Sequence, residues 1–213
     1  MKVITFAAQK GGAGKTAFAQ HLSVLAETGG ANVLLIDTDP QGSLNAWYQL
    51  RGSGTPILIK STGKDLRRFV DRARKDRVDY CLVDTPPHAQ QSILDAIVVS
   101  DLVVVPLRPA FSDLNAIPAT LELAQSAGKA PLVVINQAPV ASAWGEPAQV
   151  SQARELITGL GSKVAQTVIV MRVAIQHALA GGQTAGEFEP SGKAAAEIAA
   201  LWAEIKTELE TEK

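Results

Sequence analysis

Six apolar runs punctuate the chain: KVITFAA (2–8), NVLLID (32–37), YCLVD (80–84), LVVVPL (102–107), PLVVIN (131–136) and TVIV (167–170). Their apolar positions are consecutive, not alternate, and Val and Ile dominate. That pattern predicts strands buried on both faces, as in a parallel sheet covered by helices. Between them, apolar residues recur at helical spacing. Residues 15–27 carry Phe18, Leu22 and Leu25, and residues 65–77 carry Leu66, Phe69 and Val70. Helices are also predicted over 114–126, 147–160 and 193–210. Strands alternating with helices predict an α/β fold, a doubly wound, mostly parallel sheet flanked by helices. Residues 51–56 (RGSGTP) and 136–147 (NQAPVASAWGEP) read as loops from their Gly, Pro and Ser. No repeat or long linker divides the chain, so one domain over residues 1–213 is expected.

Charge adds a constraint. The formal net charge is −1, so bulk charge attracts no polyanion and nucleic-acid binding would need a local patch. The single cysteine, Cys81, lies inside YCLVD and is expected as core filler in a reducing compartment. No apolar run reaches ~18 residues, so no spanning helix is expected. The N-terminus runs directly into a working motif, so no leader peptide is expected. A cytoplasmic protein fits all of this.

The chemistry gathers where predicted strands end. QKGGAGKT (9–16) follows the first strand and opens the first helix. Gly11, Gly12 and Gly14, with Ala13 between them, let backbone N–H groups turn inward around phosphates. The helix start at Lys15, Thr16 and Ala17 adds the positive end of a dipole. Lys15 would reach the outer phosphates and the Thr16 hydroxyl would hold Mg²⁺. The second strand ends in DTDPQGSLNAW (37–47), which places Asp37 and Asp39 on one side, suited to Mg²⁺ shells and water positioning. The alternative is an Asp-rich turn capping the next helix through Asp39 or Ser43. A third strand ends at Asp84 in DYCLVDTPPH (79–88), the Walker B arrangement, whose carboxylate meets Mg²⁺. His88 reads as an exposed loop residue, since His21, His88 and His177 show no ligand spacing. Asn136 closes another strand, where ligands bind in open α/β sheets, or it is an ordinary strand-exit residue.

KGGAGKT (10–16) resembles the deviant phosphate loop of the ParA/MinD family of ATPases, and the chain is closest to short ParA-type partition ATPases without an N-terminal DNA-reading domain. The resemblance implies a P-loop NTPase fold, ATP and Mg²⁺ as cofactors, and ATP hydrolysis. It implies that Lys10 crosses a homodimer formed with ATP and contacts the other subunit's phosphates; the plainer alternative is shielding within its own subunit. It assigns Asp39 to the attacking water, Asp37 to an outer magnesium shell, DTPP (84–87) to the second switch and Asn136 to adenine. Ala17 departs from the pattern, which often has a second threonine there, so weaker nucleotide binding is expected.

ParA-type members bind DNA without sequence preference, and a ParB-like or cargo-adaptor partner stimulates hydrolysis. The resemblance therefore implies a nucleoid-associated protein that positions a plasmid, chromosome or other cargo. It places basic residues near Arg172 and Lys193. The local sequence offers a second patch, 60–77, with eight basic residues against three acidic. Arg67, Arg68, Arg72, Arg74 and Lys75 would face outward there, as phosphate contacts or simply as a solvated helix face. A MinD-like membrane switch is the main rival, and it needs a basic amphipathic tail. The chain ends ALWAEIKTELETEK, acidic on balance, which favours no membrane partner. A nitrogenase iron-protein reading needs several cysteines to bridge a cluster, and the single Cys81 argues against it; a nonhydrolysing scaffold is disfavoured by Lys15, Asp39 and Asp84.

Overall fold

Val3, Ile4, Thr5 and Phe6 are all fully buried, and on a strand successive side chains point to opposite faces. The first strand must therefore be covered on both sides, and it is. The computed structural model describes residues 1–141 and 145–211. Seven strands form one parallel sheet: β1 (Lys2–Phe6), β2 (Val33–Asp37), β3 (Ile57–Lys60), β4 (Tyr80–Asp84), β5 (Leu102–Leu107), β6 (Leu132–Ile135) and β7 (Lys163–Val164). Their order across the sheet is β3-β2-β4-β1-β5-β6-β7. The helices are α1 (Lys15–Thr28), α2 (Ser43–Arg51), α3 (Gly63–Lys75), α4 (Gln90–Val98), α5 (Phe111–Leu114), α6 (Ile117–Ser126), α7 (Ala148–Gly159), α8 (Val173–Ala180), α9 (Ala185–Phe188) and α10 (Lys193–Thr211).

The two faces have separate cores. On one face Ile4, Phe6, Leu35 and Leu82 meet Phe18 and Leu22 of α1, Trp47 of α2 and Leu201, Trp202 and Ile205 of α10. Tyr80 meets the Trp202 ring edge-on at 4.9 Å between centroids. On the other face Val3, Ile36 and Cys81 pack under Leu66 and Val70 of α3. Beside them, Val103, Val105 and Val133 pack under Ile93 of α4 and Leu121 of α6. Cys81 is core filler as expected, and burial pushes its thiol up to about 12, so it stays protonated and inert.

Several expectations need correction. Residues 167–170 are not the last strand; β7 lies earlier, at Lys163–Val164. The Glu204 carboxylate accepts the N–H groups of Gln166 (2.6 Å) and Thr167 (3.1 Å), which lifts this edge segment off the ladder. The segment rejoins the end of β6 at Ile169, whose N–H donates to the Ile135 carbonyl at 3.0 Å, and an isolated bridge then pairs Val170 with Ala138. The helix expected over 114–126 is two helices, α5 and α6. Pro118 stands in the first turn of α6, and its ring is incompatible with a continuous helix through Leu114. Besides β7, five elements were not anticipated: β3, α2, α4, α8 and α9. Of the predicted loop 136–147, residues 142–144 lie outside the described residues.

The register sets up the site. Phe6 is level with Asp84 across β1 and β4, and Asp84 is level with Asp37 across β4 and β2. The phosphate-type loop, Asp84 and Asp37 therefore leave the sheet at one height on three adjacent strands.

Candidate functional site

The loop between β1 and α1 owes its shape to glycine. Gly12 and Gly14 have φ of 75° and 113°, in the region L side chains avoid. A Cβ on Gly14 would also stand 2.1 Å from Nδ2 of Asn136. The loop is braced from behind by residues that leave β6: Asn136 Nδ2 donates to the Ala13 carbonyl at 2.7 Å, and Gln137 Nε2 donates to the Gly12 carbonyl at 3.1 Å. Asn136 is only 5% exposed, and its N–H₂ serves the loop. That bracing role was not anticipated; its expected adenine contact stays a proposal. Gln9, where the commoner loop has glycine, is held through its backbone. Its N–H meets the Thr120 hydroxyl at 3.3 Å, and its carbonyl accepts from His88 N–H at 3.2 Å. His88 is exposed with φ of 58°, as its reading as a loop residue required.

Lys15 is 6% exposed, and its Nζ lies 3.3 Å from the Lys10 carbonyl. Burial lowers its pKa, with Asp84 and Asp39 opposing. A cation so placed is short of partners and ready for an anion. The N–H groups of Lys15, Thr16 and Ala17 open α1, where no intrahelical acceptor exists for them. Lys10 and Gly11 stand at the outer edge of the loop, partly or fully exposed.

The Thr16 hydroxyl donates to Asp84 Oδ2 at 2.7 Å. Burial, the largest cause, pushes the Asp84 carboxyl up to about 7; the Thr16 bond works against it, and Asp37 adds to it. Asp84 Oδ1 is buried without a hydrogen-bond partner among the described residues. An orphaned carboxylate oxygen beside a threonine hydroxyl fits a hydrated Mg²⁺. Thr16 and Asp84 are thus the residues that would hold the metal. Among the described residues no three His, Cys, Asp or Glu gather as a self-sufficient metal cage, so phosphate oxygens and water would complete the shell.

Asp37 is turned inward. Its Oδ1 accepts from Asp39 N–H at 3.0 Å and its Oδ2 from Asn45 N–H at 3.3 Å, so it caps the first turn of α2 from the end of β2. The anticipated helix cap exists, with Asp37 rather than Asp39 or Ser43 supplying it. Burial still raises the Asp37 pKa, the two backbone bonds opposing. Asp39 is half-exposed. Its Oδ1 accepts from Gln41 N–H at 2.9 Å, and it borders an open groove with Pro40, Ser61, Thr62, Pro86 and Pro87. The two proposed switch segments are tied together: Thr38 N–H and hydroxyl both donate to the Asp84 carbonyl, at 3.0 and 2.7 Å.

The basic candidates fall into two separate groups. Arg67, Arg68 and Arg72 lie exposed on α3. Arg68 reaches Asp65 at 3.5 Å, Arg72 reaches Asp76 at 2.7 Å and Arg74 reaches Asp71 at 3.8 Å. Arg172 and Lys193 are on the opposite face of the sheet, with α10. Lys193 is exposed, but Arg172 is half-buried and binds Glu197 through Nε and Nη2. Glu197 also accepts Val170 N–H at 3.1 Å. Arg172 therefore ties the exit from the sheet to α10.

The chain is similar to known proteins. The model of the CobQ/CobB/MinD/ParA nucleotide binding domain matches residues 4–185. The maintenance of carboxysome distribution protein A of Halothiobacillus neapolitanus is 27% identical over 199 residues, covering 88% of each chain. The chromosome-partitioning ATPase Soj of Thermus thermophilus is 28% identical over 225 residues, covering 90% of each. The septum site-determining protein MinD of Pyrococcus horikoshii, solved with Mg-ADP, superposes with a TM-score of 0.75 at 19% identity, covering 100% of this chain and 98% of that one. A loop, a buried Thr–Asp pair and a sheet order that together suit a bound nucleotide thus coincide with a family match over most of the sequence: the chain belongs to the CobQ/CobB/MinD/ParA nucleotide-binding family.

Proposed function

We propose that this protein is a ParA-type, Mg²⁺-dependent ATPase that forms a homodimer with ATP, binds DNA without sequence preference, and positions a cargo until an adaptor partner triggers hydrolysis. The observation that carries the reading is the pairing of Thr16 with Asp84, one carboxylate oxygen of which is buried and unpartnered, directly under a glycine loop that presents two lysines. Positioning and partition are the stated roles of the two curated relatives.

In this reading Mg²⁺-ATP, when bound, supplies the phosphoanhydride and the metal that neutralises its oxygens. The chain does the rest. The loop N–H groups and the start of α1 bind the phosphates. Lys15 offers a buried cation whose charge is favoured by an incoming anion. Thr16 and Asp84 orient the metal. Asp39, with one oxygen fixed by Gln41 and the other open to the groove, positions the attacking water. Lys10, at the outer edge of the loop, is the residue that a second subunit's phosphates would meet. Asn136 and Gln137 hold the loop rigid, so little reorganisation is needed on binding.

DNA binding is assigned to α3, with Lys193 as a separate contact on the other face. The membrane rival finds no support in α10, whose apolar stripe (Ile198, Leu201, Trp202, Ile205 and Leu209) is buried in the core. Among the described residues no helix is long and apolar enough to cross a membrane.

The test is phosphate release from ATP and Mg²⁺, with and without DNA. The expected result is slow turnover that Lys15→Gln abolishes. Turnover unaffected by that substitution would contradict the assignment.

A further inference from the structure

The loop after β5 carries a feature that neither the motif nor the metal site uses. Arg108 follows the last residue of β5, next to β1 in the sheet. Its Nε and Nη2 donate to the two carboxylate oxygens of Asp113, at 2.7 and 2.9 Å. Asp113 is 2% exposed. Burial alone would raise its pKa, but the hydrogen bonds and charge of Arg108, with Ser112 and Lys10 assisting, leave the carboxyl below its ordinary value. The ion pair is therefore present whenever the protein is folded near neutral pH.

The third guanidinium nitrogen is the informative one. Nη1 lies at the phosphate loop, 3.5 Å from where a Cβ on Gly12 would be. It has no hydrogen-bond partner among the described residues. A residue meant only to tie α5 to β5 would need the carboxylate and nothing more. Here two nitrogens are clamped so that the remaining one faces a backbone built for anions. The side chain is about a third exposed, so this nitrogen is open to a ligand. Lys10 shares the electrostatic neighbourhood of Asp113, and two cations facing one carboxylate leave a net positive charge.

We propose that Arg108 is a further phosphate-binding residue of the nucleotide site, oriented by Asp113, which contacts the polyphosphate through Nη1. This rests on the nucleotide-site reading above. A guanidinium pinned by a buried acid is preorganised, so an incoming phosphate gains a charge-assisted hydrogen bond without ordering a flexible chain.

Equilibrium titration of a fluorescent ATP analogue and its ADP counterpart, in Mg²⁺, tests this without measuring turnover. Arg108→Ala is expected to weaken the triphosphate about tenfold or more, the size of a lost charged hydrogen bond. The diphosphate should weaken less, and the thermal unfolding temperature without nucleotide should also fall, because the buried Asp113 carboxylate loses its partner. Arg108→Lys should recover part of the affinity, and Asp113→Asn should fall between, since Asp113 acts through Arg108. A merely structural ion pair would leave the triphosphate-to-diphosphate affinity ratio unchanged however far the unfolding temperature falls; that result overturns the proposal. Equal affinities in wild type and Arg108→Ala overturn it as well, while leaving the nucleotide site intact if Lys15→Gln still abolishes binding. A wild-type protein that binds neither analogue removes both readings together.

Discussion

Single residues show how burial sets chemistry here. His21 is fully enclosed beneath α9, its Nδ1 accepting from Ala185 N–H at 3.2 Å. Its Nε2 has no partner among the described residues. Burial lowers its pKa to about 4, with Glu187 opposing weakly. The unfolded chain, with an ordinary histidine pKa of about 6.5, binds the proton first. The stability contributed by neutral His21 is therefore complete above about pH 6.5 and lost progressively down to about pH 4, by roughly 3 kcal/mol at most. Urea denaturation at a series of pH values should show this slope, and His21→Gln should flatten it; an unchanged slope would contradict the assignment. Of Asp37, Asp39 and Asp84, Asp39 is the most exposed, and its carboxylate accepts one hydrogen bond, from Gln41 N–H. Asp39→Ala should lower ATP hydrolysis by about a hundredfold or more while leaving nucleotide affinity near wild type. Loss of affinity instead would move Asp39 from water positioning to binding. The residues of the loop itself were legible in the sequence because glycine and lysine at fixed spacing have few other uses. Arg108, Asp113, Thr120 and Gln137 were not, since their roles depend on which strands become neighbours. The one available hint was position: Arg108 and Gln137 both follow strand C-termini.

Among the elements, buried strands announced themselves and the amphipathic or irregular ones did not. β2, β4, β5 and β6 read correctly because they are apolar on both faces. β3 was missed because it is a four-residue edge strand with exposed ends, and α2 because it buries only Leu44 and Trp47. The 167–170 strand failed because Glu204, distant in sequence, captures its neighbours' N–H groups. The helix α3 was placed to within two residues, and its polar face carries the DNA proposal. Its two acidic residues, and Asp76 just after its end, each pair with an arginine, which leaves Lys64, Arg67 and Lys75 without an ion pair there among the described residues. Exposed pairs of this kind hold little stability. Arg67→Ala should thus leave the unfolding temperature unchanged but weaken ATP-dependent DNA retention and reduce its salt slope by about one unit. Retention unaffected by Arg67→Ala combined with Lys64→Ala would transfer the role to Lys193 and the opposite face.

At the scale of the molecule, sheet order does the assembling. β1 lies at the centre, β4 and β5 flank it, and the residues that close all three meet at one edge. One loop thus has Asp84 on one side and the Arg108–Asp113 pair on the other, with Asn136 and Gln137 behind it. What faces outward is Lys10, whose ammonium group has no hydrogen bond or ion pair among the described residues and lies in the neighbourhood of Asp113. In the proposed reading its complement is a phosphate group presented by a second copy, which would make ATP occupancy and association a single event. The most direct test is the mass in solution, by light scattering, with a slowly hydrolysed ATP analogue, with ADP and without nucleotide. The account predicts a doubling with the analogue alone, abolished by Lys10→Ala although that variant still binds nucleotide. A wild-type protein that remains a monomer when saturated with the analogue, or a Lys10→Ala variant that dimerises as wild type does, would contradict it.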